Sequence, residues 1–309
     1  MKILVTGGAG FIGSHVSDAL LEAGHEVHII DDLSGGSAEN IHSDAQFHQL
    51  DIRSPEVKQL WQNEQFETLY HFAAQMDVRK SVADPSYDAD VNIRGLINLM
   101  EAGRDNSLRK VVFASTGGAI YGEPDYVPQD EQHVMQPLSP YGIAKLSSEK
   151  YLFFYFDTYS IPFVALRYGN VYGPRQNPHG EAGVVAIFSE RLLDGEQPVI
   201  NGDGRQTRDY VFVSDIVDAN LKALSHEGSG IFNIGTGVET DVVELFSILR
   251  DELAPEAPIV HGPGKAGEQK RSVLSYDLAA SELGWRPNVD VNEGLVTTAE
   301  WFRNRRITR

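Results

Sequence analysis

Short apolar runs alternate with stretches that place an apolar residue every third or fourth position through the first half of the chain. Lys2–Val5 predicts a short buried strand, and Ile12, Val16, Ala19, Leu20 and Ala23 then fall on one helical face, with Gly24 as a stop. Val27–Ile30 predicts the next strand, 55–62 a helix, Thr68–Phe72 a strand and Asp90–Gly103 a helix. Val111–Ser115 and Phe163–Arg167 complete the buried strands. Strand–helix alternation of this kind predicts an α/β fold, a doubly wound parallel sheet covered on both faces.

The pattern changes after Arg167. Gly, Pro and Asn cluster between Tyr172 and Gly180, which predicts a long loop. Helices follow at Val184–Leu193, 214–226, Val242–Leu253, 278–283 and 293–303, with short strands at 198–200, 210–213 and 231–234. The expected organisation is a first domain over residues 1–167 and a smaller mixed α/β domain over 168–309, some of whose segments return to the first. The run from Tyr151 to Phe156 extends a helix through Tyr141 and is apolar nearly all round, so it must be covered on more than one side.

Composition narrows the chemistry. The 309 residues include 26 Lys and Arg against 44 Asp and Glu, a formal charge of −18. That balance argues against a nucleic-acid or anionic-membrane partner, because a polyanion is repelled over most of the surface. Cysteine is absent, which excludes disulfides, zinc–thiolate sites and cysteine nucleophiles. No apolar run approaches the ~20 residues of a membrane span. The expectation is a soluble cytoplasmic protein. His25-Glu26-Val27-His28 has the look of a metal pair but lacks a third ligand of suitable spacing, so no metal is expected.

Two constellations carry chemistry. Gly7, Gly10, Phe11, Ile12 and Gly13 follow the first strand directly and open the first helix. Glycine is needed where the chain turns tightly and where backbone approaches a pyrophosphate, which the helix N-terminus then faces. Asp31 ends the second strand, where a carboxylate accepts ribose hydroxyls and repels a 2′-phosphate. With Asp32 and Ser34 beside it, this points to NAD rather than NADP on a Rossmann-type sheet. The second constellation is Tyr141-Gly142-Ile143-Ala144-Lys145, with Ser115-Thr116 at a strand end upstream. A spacing of four puts phenol and ammonium on one helical face, where Lys⁺ favours the phenolate and lowers the Tyr pKa.

Together with Asp51-Ile52-Arg53, His71-Phe72-Ala73-Ala74-Gln75, Gly117-Gly118-Ala119-Ile120-Tyr121-Gly122, 166–174 and Arg208-Asp209-Tyr210-Val211, these motifs resemble the extended short-chain dehydrogenase/reductases. Within that family the chain looks most like the bacterial and archaeal UDP-galactose (UDP-glucose) 4-epimerases, and the likeness runs from Met1 to about Arg303. The resemblance implies NAD held through every turnover, with Asp51 and Ile52 at the adenine and Phe72, Ala73 and Ala74 lining the cofactor. It makes Tyr141 the base at the sugar 4-hydroxyl, Lys145 its partner, and Thr116 or, failing that, Ser115 the hydrogen-bonding group at oxygen 4. It places Asn170 and Arg208 at the nucleotide-sugar diphosphate, with Lys265 and Glu268 as further substrate contacts.

Many relatives carry serine one position beyond Thr116, where this chain has Gly117. Dehydratases of the family carry carboxylates after the Ser/Thr; Gly117 and Gly118 have none, which favours epimerisation. Other nucleotide sugars, an acetamido or uronate substrate among them, a dehydratase or decarboxylase, and a non-catalytic NAD-binding protein are the alternatives. The family habit of pairing the Tyr141 helix and 90–103 with those of a second copy implies a homodimer built on a four-helix bundle.

Overall fold

The computed structural model describes residues 1–178, 183–264 and 269–307. Its first half alternates β1 (Lys2–Thr6), α1 (Phe11–Glu22), β2 (Glu26–Asp31), β3 (Gln46–Gln49), α2 (Glu56–Glu64) and β4 (Thr68–His71). Then come α3 (Val78–Ala83), α4 (Pro85–Ala89), a π-helical turn (Asp90–Arg94), α5 (Gly95–Arg104), β5 (Lys110–Thr116), α6 (Gly117–Ile120), α7 (Pro140–Tyr159) and β6 (Phe163–Tyr168). The remainder holds β7 (Asn170–Tyr172), α8 (Val184–Leu193), β8 (Ile200–Asn201), β9 (Thr207–Arg208), β10 (Tyr210–Phe212) and α9 (Val213–Ser225). It closes with β11 (Gly230–Ile234), β12 (Thr240–Asp241), α10 (Val242–Leu253), β13 (His261–Gly262) and α11 (Val291–Ile307).

Seven strands form one parallel sheet in the order β11-β6-β5-β4-β1-β2-β3, the expected Rossmann-type arrangement. The strand expected at 231–234 is its far edge, so the chain returns to the first sheet after leaving it at Tyr168. The strand order reverses between β1 and β4, which opens a crevice at the carboxyl ends, where ligands of such sheets bind. The opposite edge, β3, has the sequence Gln46-Phe47-His48-Gln49, too polar for a buried-strand pattern, and was not expected.

Each face of the sheet buries its own apolar layer. Val16 and Leu20 of α1 meet Ile216, Ala219 and Ala223 of α9 over one face. On the other, Trp61 of α2, Leu99 and Met100 of α5, and Leu152 and Tyr155 of α7 pack together. Full burial of each such side chain stabilises by roughly 1.5–3 kcal/mol. A third cluster, from Phe188 and Leu192 to Phe246, Leu249 and Leu295, holds α8, α10 and α11 over the crevice end. Among the described residues no helix is long and apolar enough to cross a membrane.

One helical expectation needs revision. The helix expected at 90–103 begins with a π turn continuous with α4 and α5, a one-residue slip in the hydrogen-bond ladder that side-chain periodicity does not register. Within its own chain α7 is covered on part of its circumference, so it does not pack wholly within the domain. Leu152 and Tyr155 are buried, but Phe153 and Phe154 are 58% and 44% exposed.

The join between α7 and the sheet is ionic. Arg167 of β6 donates from Nε to Glu149 Oε1 at 2.9 Å and from Nη2 to Oε2 at 2.7 Å, with both side chains out of water. Ser115 Oγ donates to the same Oε1 at 2.6 Å, and Arg167 Nη1 donates to the Tyr121 hydroxyl at 2.7 Å. Tyr121 in turn donates to Asn233 Oδ1 on β11 at 2.7 Å. Breaking a buried pair leaves an uncompensated charge, so Glu149→Gln should lower unfolding stability by about 3–5 kcal/mol, read from denaturant midpoints. A loss below about 1 kcal/mol would mean that water reaches Arg167.

Candidate active site

β1 runs directly into the glycine turn at the crevice. Gly7 sits at φ +71°, and a Cβ there would lie 2.6 Å from Ala73 N. A Cβ on Gly13 would lie 2.2 Å from Gly7 O, so turn, helix and the end of β4 touch backbone to backbone. Gly10 caps α1 without a side chain, and Phe11 and Ile12 open the helix. Their N–H groups stand at its positive end, a cradle for a pyrophosphate. Across the crevice Phe72 and Ala73 both donate from their backbone N–H to Thr6 O, at 3.0 and 3.1 Å, and Ala74 follows half-buried.

The acidic end of β2 is held by the loops around it. Asp31 accepts from Ala9 N at 3.0 Å and Leu33 N at 2.9 Å, and burial pushes its carboxyl up while these bonds pull it down. Asp32 accepts the Ser34 N–H and hydroxyl, at 2.9 and 2.6 Å, on the exposed side. Asp51 is clamped by Arg53, whose Nη1 also reaches Asp90 at 2.8 Å, and the guanidinium holds the Asp51 carboxyl low. Ile52 lies buried beneath Gly95. This set fits a dinucleotide, with glycines where phosphate must approach and a carboxylate at the ribose end.

Ser139 caps α7, its Oγ accepting from Gly142 N at 3.1 Å, and Pro140 occupies the first turn, which fixes the helix start at Tyr141. Lys145, buried one turn on, donates to Ala114 O at 2.8 Å. Its Nζ stands 4.8 Å from the Phe113 ring centroid and 5.9 Å from that of Tyr141. Burial draws the ammonium down to about 8, partly opposed by Asp88 and Glu149. The phenol is not lowered as the spacing suggested. Burial, and after it the Asp88 charge, push Tyr141 up. His71, bonded to Thr6 Oγ1 at 2.7 Å, is kept neutral because burial draws it down to about 3.

On the far side β10 pairs with β7, and Asn170 N donates to Asp209 O at 2.6 Å, which brings Asn170 beside Arg208. A Cβ on Gly118 would lie 3.9 Å from Asn170 Oδ1 and 4.0 Å from Thr116 Oγ1, so these groups share one opening. Arg208 donates to Thr207 O at 2.8 Å and pairs with no carboxylate among the described residues. The Asp209 carboxylate is taken up by Thr236, Gly237 and Leu274.

A glycine-turn dinucleotide cradle and a Tyr/Lys pair thus meet in one crevice, and the sequence over residues 3–235 matches the NAD dependent epimerase/dehydratase family. The chain belongs to that family. A UDP-glucose 4-epimerase of Mycolicibacterium smegmatis is 46% identical over 312 residues, 99% of each chain. The UDP-glucose 4-epimerase of Thermotoga maritima, solved with UDP-glucose, superposes with a TM-score of 0.96 at 47% identity over 99% of both chains. That of Thermus thermophilus, solved in complex with NAD, gives a TM-score of 0.93 at 44% identity over 98% of this chain and 99% of the other.

Against this family frame the expected site residues divide. Gly7, Gly10, Phe11, Ile12, Gly13, Phe72, Ala73 and Ala74 follow the ends of β1 and β4, with Asp31 at the end of β2 tied to them through Ala9; Lys145 stands beside Tyr141, Thr116 and Asn170 meet at Gly118, and Arg208 precedes the strand that pairs with β7. Ser115 does not join them. Its hydroxyl is buried on Glu149, so Thr116, which no side-chain hydrogen bond engages among the described residues, is the group left at the strand end. Lys265 and Glu268 lie outside the described residues.

Sequence reasoning missed Asp88, Glu149 and Arg167, all buried around the Tyr/Lys pair. Glu149 stands four residues beyond Lys145, the one spacing that could have signalled it. Two histidines pair: His28 is buried on β2 with its Nδ1 3.0 Å from His48 Nε2. Glu26, His28 and Glu64 converge there, but Lys2 Nζ sits 3.1 and 2.9 Å from the two carboxylates and supplies their positive charge. Because Gly7 and Gly13 touch, Gly13→Ala should force the cradle apart and cut the NAD carried by the purified protein at least about tenfold. NAD retained at the wild-type level would show that the turn does not hold it.

Proposed function

We propose that this chain interconverts UDP-galactose and UDP-glucose by inverting carbon 4 of the sugar. What carries the reading is the surroundings of Thr116. Its hydroxyl shares an opening with Asn170, while at Gly117 any Cβ would fall 2.4 Å from Leu274 Cδ1. The positions where a dehydratase places its carboxylates therefore hold no acid, and position 117 is filled by Leu274. Redox inversion needs only the Tyr-centred proton transfer that remains.

Bound NAD supplies a reversible acceptor for the carbon-4 hydride, so that oxidation and return reduction share one pocket. Tyr141 as its phenolate, the form the Lys145 ammonium favours, takes the 4-hydroxyl proton as the carbon–hydrogen bond breaks and leaves a 4-keto sugar. The phenol holds that proton while the keto sugar turns over, then gives it back to oxygen 4. Thr116 hydrogen-bonds oxygen 4 in both orientations. Arg208, with a planar fork and no described ion pair, suits the diphosphate, and Asn170 stands beside it. Tyr141→Phe should lower turnover of UDP-galactose by about 10³-fold or more while bound NAD is retained. Undiminished turnover would remove Tyr141 from the role of base.

We further propose a homodimer through α7 and its neighbour α5. Tyr151, Phe153, Phe154, Phe156 and Tyr159 are all more than a third exposed along α7, an apolar patch that a second copy of the same helix would cover. Light scattering at micromolar concentration should give twice 34.1 kDa; a monomer would contradict the proposal.

A further inference from the structure

Two carboxylates act on the Lys145 ammonium, and they differ in how their charge is met. Glu149 is matched by the two-pronged Arg167 contact and also accepts the Ser115 hydroxyl. Asp88, on α4, is 1% exposed and has no such guanidinium. Its Oδ1 accepts from Gln75 Nε2 at 2.9 Å and Asn92 Nδ2 at 3.1 Å, both neutral amides. Its Oδ2 is buried with no hydrogen-bond partner among the described residues.

The carboxylate cannot swing away from this position. Asn92, in the π turn, donates from Nδ2 to Gln75 O and accepts from Gln75 N, both at 2.9 Å. Its own carbonyl accepts the Ser148 hydroxyl of α7 at 3.2 Å, which ties the clamp to the helix that carries Tyr141 and Lys145. The neighbouring cations have partners elsewhere. Arg53 pairs with Asp51 and Asp90, Arg94 with Asp90, and Lys80 lies over the Tyr87 ring. Among the described residues, Lys145 is the cation whose charge acts on Asp88.

On the reading of the chain as an epimerase, we propose that Asp88 is a positioning residue for the reaction: its carboxylate is the counter-charge that keeps Lys145 ionised beside Tyr141, and it sets the pH range over which Tyr141 takes and returns the sugar proton. Opposite effects on the two neighbours follow from Coulomb's law in a buried site. Asp88⁻ favours the ammonium of Lys145, against the downward pull of burial, and opposes the phenolate of Tyr141, in the same direction as burial. The other groups facing the pair leave this balance in place. Glu149 is neutralised by Arg167, His71 on β4 is neutral, Gln75 and Asn92 carry no charge, and Asp90 is spent on Arg53 and Arg94.

The test is Asp88→Asn, which keeps the shape and removes the charge, with Asp88→Glu as the charge-keeping control and Asp88→Ser in place of the Asn variant should that not fold. Because loss of the carboxylate makes both Tyr141 and Lys145 give up protons more readily, both limbs of the kcat/KM profile for UDP-galactose should move to lower pH by about one unit. Asp88→Glu should return them toward wild type. Limbs that stay in place while kcat or Tm falls would reduce Asp88 to a packing residue and overturn the proposal. A readout free of turnover is the ¹³Cε-lysine titration of Lys145 in the NAD-containing protein, assigned by Lys145→Met. Its midpoint should fall in Asp88→Asn, and an unmoved midpoint would overturn the proposal. A wild-type protein inactive on UDP-galactose whose Lys145 midpoint still falls in the variant would defeat the epimerase reading and leave the charge pairing standing.

Discussion

Between α7 and the carboxyl ends of β5 and β6, the Arg167 guanidinium and the Glu149 carboxylate face each other out of water. Such a pair gains little over an apolar contact in stability, because desolvation offsets most of its attraction. Its consequence is directional. Glu149 is held at two oxygens by Arg167 and at one by Ser115, so α7 can neither slide nor rotate against β5. Tyr141 and Lys145 ride on that helix and Thr116 ends that strand, so the spacing of the groups proposed to react rests on this contact. Precise placement is worth much of a catalytic barrier, and here a polar lock in the layer behind the site provides it.

Charge is handled locally in a molecule that is acidic overall. With a formal charge of −18, an anionic ligand approaches against the mean field and must be met by groups within about a Debye length of ~8 Å. The open end of α1 and the Arg208 guanidinium, which pairs with no carboxylate among the described residues, are two such groups. Lys145 is buried beneath Ala114 O and set against Asp88. The first two suit binding, and Lys145 suits proton transfer.

Much of this was legible in the sequence because it is local. The glycine turn, Asp31 and the Tyr141–Lys145 spacing each lie within one strand–helix joint, where residue type and period speak directly. What escaped depends on neighbours distant in sequence. Ser115 and Thr116 look interchangeable as letters, yet successive strand residues point to opposite faces, and that alternation sends Ser115 to Glu149 and Thr116 to the opening. The burial of Asp88 and the pairing of Glu149 with Arg167 depend on how α4, α7 and β6 pack on one another. The π turn at Asp90–Arg94 changes the hydrogen-bond step and leaves the apolar pattern untouched.

The central claim is that carbon 4 is oxidised and reduced within one pocket, and the most direct measurement follows the hydrogen itself. UDP-galactose carrying deuterium at carbon 4 is incubated with the purified protein in ordinary water, with no NAD added, and followed by NMR. The account predicts UDP-glucose that keeps the deuterium at carbon 4, because the hydride leaves and returns without meeting solvent. Replacement of that deuterium by solvent hydrogen, or no conversion by protein shown to contain bound NAD, would contradict it.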